Sequence, residues 1–335
     1  MPVKAALVTG GAGFIGSHVA TELVKRGHCV VVLDDLSGGQ RDNVPAGALF
    51  EEGSVLDSAN IEHLFKKHRF ESVFHLAAYA AEGLSHFIKR FNYENNLVGS
   101  VNLINASVNH GVRCFVFTSS IAVYGSSQMP ATEDTLPRPE DSYGISKVAV
   151  EMELEATRRL FGLDYVVFRP HNVYGENQNI GDRYRNVVGI FMNQILQGKP
   201  MSIFGDGKQT RAFSYIADVA PHIAASVDVP AARNQVFNIG ADTPCTLNDL
   251  AVAVAKAMGT APRVVHLDER HEVKHAFSSH EKFASVFGRR EAVLLEKGLA
   301  RMAAWVKKAG ARESRAFGAL EIEKNLPLSW RSSKE

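Results

Sequence analysis

Two serines, a phenol and an amine are the groups in this chain whose types and spacing suit them to work together. Ser119 and Ser120 follow the apolar run RCFVF and Thr118, at what reads as the end of a buried strand. Tyr143 and Lys147 stand four apart in SYGISK. On a helix, residues i and i+4 share a face, so phenol and ammonium become neighbours. An ammonium beside a phenol favours the phenolate and lowers its pKa from a reference of about 10, giving a base usable near neutral pH. A Tyr-x-x-x-Lys pair is common as a snorkelling lysine beside an aromatic. Here its weight comes from the strand that ends in two hydroxyls. After Ser120 come Ile121 and Ala122, with no carboxylate.

A second constellation lies at the start of the chain. VTGGAGFIGSH places Gly10, Gly13 and Gly16 at three-residue spacing after a strand and at the opening of a helix. That context lets a backbone approach a pyrophosphate, which then sits at the helix N-terminus. Asp34 ends the next strand, 18 residues after Gly16. A carboxylate there accepts from adenosine ribose hydroxyls and repels a 2′-phosphate, which favours NAD over NADP.

The elements that must position these groups follow from the hydrophobic pattern. AALVTG, CVVVLDD, SVFHLAA, CFVFTSS and YVVFRPHNVYG are apolar runs separated by helix-period segments such as GSHVATELVKRG. Continuous apolar strands alternating with helices predict a doubly wound α/β fold of Rossmann type, with a parallel sheet covered on both faces. Gly10, Asp34, Ala77, Ser120 and Asn172 fall at the carboxyl ends of successive strands, where such sheets bind ligands. The texture becomes polar and glycine-containing from about residue 175. The expected division is a cofactor domain over 1–175 with a return segment near 213–240, and a smaller, interleaved substrate domain over 176–212 and 241–335.

The 335 residues are 45% hydrophobic and 22% charged, with a formal net charge of +1. No basic block points to nucleic acid. Cys29, Cys114 and Cys245 form neither a metal spacing nor a disulfide framework, so no metal is expected and a reducing, cytoplasmic setting is. The N-terminus enters a strand at once, without a signal-peptide pattern. No apolar run is long enough to span a membrane.

TGGAGFIGSH, LDDLSGG, FHLAA, ENNLVGSVNLI, FTSSIAVYG, SYGISK, RPHNVYG, FGDGKQTRAFSYIADVA and VFNIG occur in that order. Together they resemble the extended short-chain dehydrogenase/reductases of the nucleotide-sugar epimerase/dehydratase family, most of all UDP-glucose 4-epimerases, over nearly the whole chain. The resemblance implies NAD as cofactor, a UDP-hexose, UDP-hexosamine or UDP-uronate as substrate, and a homodimer. It makes Ser120 the catalytic hydroxyl, Tyr143 the base and Lys147 its electrostatic partner. It implies cofactor contacts from Gly10, Gly13, Phe14, Ile15, Gly16, Asp34, Asp35, Ser54, Val55, Leu76, Ala77, Ala78, Asn96, Thr118, Tyr143, Lys147 and Pro170. It turns Ser120, Asn172, Asn186, Val187, Arg211 and Arg270 toward the sugar nucleotide. The family's dimer helices correspond here to residues 96–110 and 143–160, where Leu97, Val101, Ile104 and Val108 suit either a partner or a core.

Relatives that eliminate water or carbon dioxide carry acids just after the catalytic hydroxyl, where this chain has Ile121 and Ala122. Elimination needs a general acid at the leaving hydroxyl, whereas epimerisation does not. The expectation is therefore 4-epimerisation by transient oxidation at C4. Glu82 keeps a dehydratase in play, because it lies in the loop expected over the sugar. It could supply an acid, bind a hydroxyl or amide, or only cap the next helix. A reductase acting on a keto sugar and a non-catalytic nucleotide binder are the remaining alternatives. Ser54 and Ala212 stand where the family commonly has acids. His171 falls near the nicotinamide or is structural. Arg183 and Arg185 could meet phosphate or a uronate. The gate for an N-acetyl group falls at Ala276 or Phe277.

Overall fold

The computed structural model describes residues 4–126, 129–270, 272–289, 291–313, 317–318 and 320–330. Residue 335, the bound of the second expected domain, lies outside them. The first half runs β1 (Ala5–Thr9), α1 (Phe14–Lys25), β2 (Cys29–Asp34), β3 (Leu49–Glu52), α2 (Ser58–His68), β4 (Ser72–His75), α3 (Glu82–Ser85), α4 (Lys89–Tyr93), α5 (Gly99–Asn109), β5 (Cys114–Thr118), α6 (Ser142–Phe161) and β6 (Asp164–Pro170). The second half continues with β7 (Val173–Tyr174), α7 (Val187–Leu196), β8 (Met201–Phe204), β9 (Thr210–Ala212), β10 (Ser214–Tyr215), α8 (Ala220–Ala225), β11 (Gln235–Ile239), β12 (Pro244–Thr246), α9 (Leu247–Met258), β13 (Val264–Leu267), β14 (His275–Ala276), α10 (Glu281–Phe287) and α11 (Leu295–Ala309).

Seven strands form one parallel sheet in the order β11-β6-β5-β4-β1-β2-β3. Side chains alternate along each strand, so each apolar run feeds two cores. Leu7, Val31, Val73, Phe115 and Val167 pack with Leu64 and Phe65 of α2, Leu103 of α5 and Leu154 of α6. Val8, Val32, Phe74, Val116 and Phe168 pack with Val19 and Leu23 of α1 and Ile223 of α8. The latter core runs on into α7, α9 and α11 through Phe191, Val254 and Met302. The strand order reverses between β1 and β4, and the crevice outside their carboxyl ends is where such folds take ligands.

Candidate active site

A cleft of about 1450 Å³ opens along those carboxyl ends. At one end β1 turns into α1 through glycines that leave no room for side chains. Gly10 has φ +70°, and a Cβ there would stand 2.7 Å from the Ala77 nitrogen. A Cβ on Gly16 would lie 2.0 Å from the Gly10 carbonyl oxygen. Gly13 begins α1 with extended backbone and no capping side chain, which leaves the helix N-terminus facing the cleft. The Asp34 carboxylate accepts from the Ala12 N–H at 3.0 Å and the Leu36 N–H at 2.9 Å, while burial raises its pKa. Asp35, Phe14, Ile15, Val55, Leu76, Ala77, Ala78, Thr118 and Pro170 line the same cleft. The Thr118 hydroxyl is buried there without a hydrogen-bond partner. A buried orphan donor on the wall and a cradle that any Cβ would fill fit a bound dinucleotide.

Ser54 and Asn96 are not on the wall. The Ser54 hydroxyl accepts from the Leu56 N–H at 3.2 Å, while its neighbours Gly53 and Val55 face the cleft. Asn96 is buried with its amide spent on Tyr79: Oδ1 accepts from the Tyr79 N–H at 2.8 Å, and Nδ2 donates to the Tyr79 carbonyl at 3.1 Å. It holds the loop after β4 from behind.

Ser120, Tyr143 and Lys147 meet midway along the cleft. Asp141 caps α6 by accepting from the Gly144 N–H at 2.9 Å, and Gly162 closes the helix in the left-handed conformation. Tyr143 and Lys147 therefore occupy the first two turns on one face, both buried. The Ser120 hydroxyl lies beside the Tyr143 phenol and favours its ionised form, while it accepts from the Ala122 N–H at 3.1 Å. Ser119 points elsewhere, donating to Glu151, whose carboxylate also takes Arg169 Nε at 3.0 Å. The two serines thus part: Ser120 to the phenol, Ser119 to a buried ion pair. The electrostatics differ from the sequence expectation that the lysine lowers the phenol's pKa. Lys147 Nζ donates to the Thr118 carbonyl at 2.8 Å and sits 5.6 Å from the Tyr143 ring centre. Burial pulls Lys147 down to about 7, opposed by Glu151. Burial and the Glu82 charge push Tyr143 above its ordinary value. Desolvation is the largest influence on both groups, and a further positive charge at the phenol is what would oppose it there.

Toward the far end, Asn172 and Asn186 both take left-handed backbone and line the cleft with Val187, Arg211 and Arg270. Arg211 donates through Nη1 to the Thr210 and Lys274 carbonyls at 2.9 Å each, and through Nη2 to that of Val273. Arg270 lies over the Phe204 ring at 4.3 Å and the Trp330 ring at 5.6 Å, bonded to Glu272 at 3.0 Å. Glu272 also accepts from Gln209 Nε2 at 3.0 Å. Glu82 is the first residue of α3, not its cap, and it opens on the cleft. His171 does not face the cleft: its Nδ1 meets the Ala212 carbonyl and its Nε2 meets His280 Nε2, each at 3.0 Å. Burial holds it down at about 4, so it is a neutral structural histidine. Ala276 and Phe277 are not on the wall either; Ala276 pairs with Arg211, and the Phe277 carbonyl accepts from the Ala131 N–H. Sequence reasoning missed Glu272, Trp330 and Gln178. Glu272 had a signal, standing two residues from Arg270. Gln178 lines the cleft, fully buried, with neither amide atom partnered.

A doubly wound sheet with a glycine cradle, an acid ending β2 and a Ser–Tyr–Lys trio defines a Rossmann-type dinucleotide enzyme fold. The chain belongs to the NAD dependent epimerase/dehydratase family, whose model matches residues 6–240. A UDP-glucose 4-epimerase of Mycolicibacterium smegmatis is 34% identical over 303 residues, covering 88% of this chain and 96% of its own. The structure of a Thermotoga maritima UDP-glucose 4-epimerase with UDP-glucose superposes with TM-score 0.87 at 36% identity, over 91% of this chain and 99% of that one. A Thermus thermophilus UDP-glucose 4-epimerase in complex with NAD gives TM-score 0.83 at 33% identity, over 90% and 98%.

Proposed function

We propose that this protein is an NAD-dependent UDP-sugar 4-epimerase. The observation that carries the reading is the meeting of Ser120, Tyr143 and Lys147 on one wall of the cleft, with buried Ile121 and Ala122 where an eliminating enzyme needs an acid. In this reading Gly10, Gly13, Gly16, Asp34 and Thr118 hold the cofactor. Bound NAD supplies a hydride acceptor, and then donor, at C4 of the sugar. Tyr143 takes the C4 hydroxyl proton as the carbonyl forms and returns it once the ketose has turned its other face. Ser120 bonds the same oxygen and keeps it on the phenol. Asn172, Asn186, Arg211 and Arg270 hold the sugar diphosphate, the arginines exchanging part of their present bonding for phosphate oxygens.

The test is incubation of purified protein with UDP-hexoses, UDP-N-acetylhexosamines and UDP-uronic acids, followed by chromatography with mass detection. An isobaric new product, lost in Tyr143→Phe, supports the reading. A product lighter by one water, or none from any member, overturns it. We also propose a homodimer. Val98 beside α5 and Ile145 and Met152 on α6 are 47%, 43% and 65% exposed, while Leu97, Ile104 and Val108 pack into the core. The three cysteines are free, which suits a reducing cytoplasm. No helix among the described residues is long and apolar enough to cross a membrane.

A further inference from the structure

The site carries an acid that the epimerase chemistry does not use. Glu82 opens on the cleft from α3. The charged groups that face it are Asp141 at the cap of α6, Arg211 of β9, and Arg270 and Glu272 after β13. Its own charge is felt by the Tyr143 phenol. His86, on the cleft wall, faces Asp141. In the reading above, the phenol marks the sugar's C4 oxygen and the two arginines mark the diphosphate. Glu82 therefore stands against what lies between them, the hexose ring.

Arg211 and Arg270 are assigned above to the diphosphate, which leaves Arg183 and Arg185 as guanidinium groups on the cleft wall that could receive a sugar carboxylate. Arg185 Nε donates to Asp182 at 2.6 Å, and its guanidinium lies 4.7 Å over the Tyr79 ring. Arg183 donates to the Ser329 carbonyl. A carboxylate on a sugar seated at the phenol would come under the Glu82 and Asp141 charges, against the Arg185 charge that also reaches the phenol.

Resting on the 4-epimerase reading, we propose that Glu82 is a specificity residue that restricts the site to nucleotide sugars with an uncharged hexose. Its carboxylate accepts from a ring hydroxyl and repels a uronate. Crowding by the cleft walls and the Asp141 charge raise the pKa of the Glu82 carboxyl although the residue is open to solvent, so the comparison belongs at pH 8, where it is ionised.

The experiment compares UDP-glucose with UDP-glucuronate in the full-length wild type and in Glu82→Gln, which keeps shape and hydrogen bonding and removes the charge. The wild type is expected to favour UDP-glucose in kcat/KM by about a hundredfold or more, as like charges in contact require. In Glu82→Gln the ratio should fall by about tenfold or more, chiefly through a lower KM for the uronate. A merely structural role would move both substrates together and leave the ratio unchanged, which overturns the proposal. Comparable turnover of both by the wild type overturns it as well. If neither is epimerised, the failure is that of the epimerase reading. Calorimetric Kd values for the same two nucleotides then decide this one: a preference for UDP-glucose that shrinks in Glu82→Gln supports it, and equal affinities refute it.

Discussion

At the scale of single residues, the trio makes opposed demands. Tyr143→Phe keeps the ring and removes the hydroxyl that would carry the proton in the proposed reaction. Turnover should fall by about 10²–10⁴-fold while NAD affinity, read by fluorescence titration, stays close to wild type. Lys147 is buried, and burial works against its charge. Lys147→Met should therefore raise Tm and lower kcat together, a trade common at active sites; a fall in Tm would show that its bond to Thr118 outweighs the burial. Tyr143 and Lys147 were legible in the sequence because their spacing is local and helical. So were Gly10 and Asp34, set by one strand–turn–helix unit. Trp330 and Gln178 were not, because only the folded chain brings Trp330 under Arg270 and Gln178 to the cleft, while the signal of Glu272, two residues from Arg270, went unused. The phenol's pKa was misjudged for a related reason: spacing reports who the neighbours are, but desolvation depends on everything else packed around them.

At the scale of elements, two turns carry the site. Gly10→Ala forces a Cβ into the backbone of the β4 loop from a left-handed conformation. NAD affinity should fall sharply, and Tm with it, by calorimetric titration and thermal melting; unchanged affinity would mean that the cradle does not hold the cofactor. The cap of α6 is the second turn. Asp141 accepts from the Gly144 N–H and from Ser85 Oγ, and that hydroxyl in turn receives the Tyr143 N–H at 3.2 Å. Asp141→Ala should cost about 1 kcal/mol in chemical denaturation. It should also lower kcat, because the first turn aims the phenol. Strands β1, β2, β4, β5 and β6 could be read from their apolar runs, and so could β11, which returns as an edge of the sheet; β3, LFEE with no buried residue, could not. The two- and three-residue strands around β9 and β14 could not, since pairing across distant segments makes them. Neither could the π-helical turn at Glu94–Val98 that leads into α5, because no periodicity in the sequence announces it.

At the scale of the whole molecule, acid should loosen the fold. His75 is buried between Thr9 Oγ1 at 2.7 Å and Ser100 Oγ at 2.8 Å, and burial lowers its pKa to about 3. The unfolded chain protonates this histidine near 6.5 and the native one does not, so stability falls as pH drops from about 6.5 toward 3, by up to roughly 1.4 kcal/mol per unit. His171 acts in the same direction down to about 4. Tm should decline between pH 7 and pH 5, and less steeply in His75→Gln. Association is the other property of the whole: Met152→Glu should yield monomers by size-exclusion chromatography with light scattering if α6 meets a second copy. One face of that helix would then hold Tyr143, Lys147 and Glu151, and another Ile145 and Met152, with Val150 and Leu154 in the core between them. Little of its circumference is left over for drift. In a saturation library across 142–161, tolerated changes should gather at Glu153, Glu155 and Arg159, so this helix would diverge more slowly than any other stretch of comparable length.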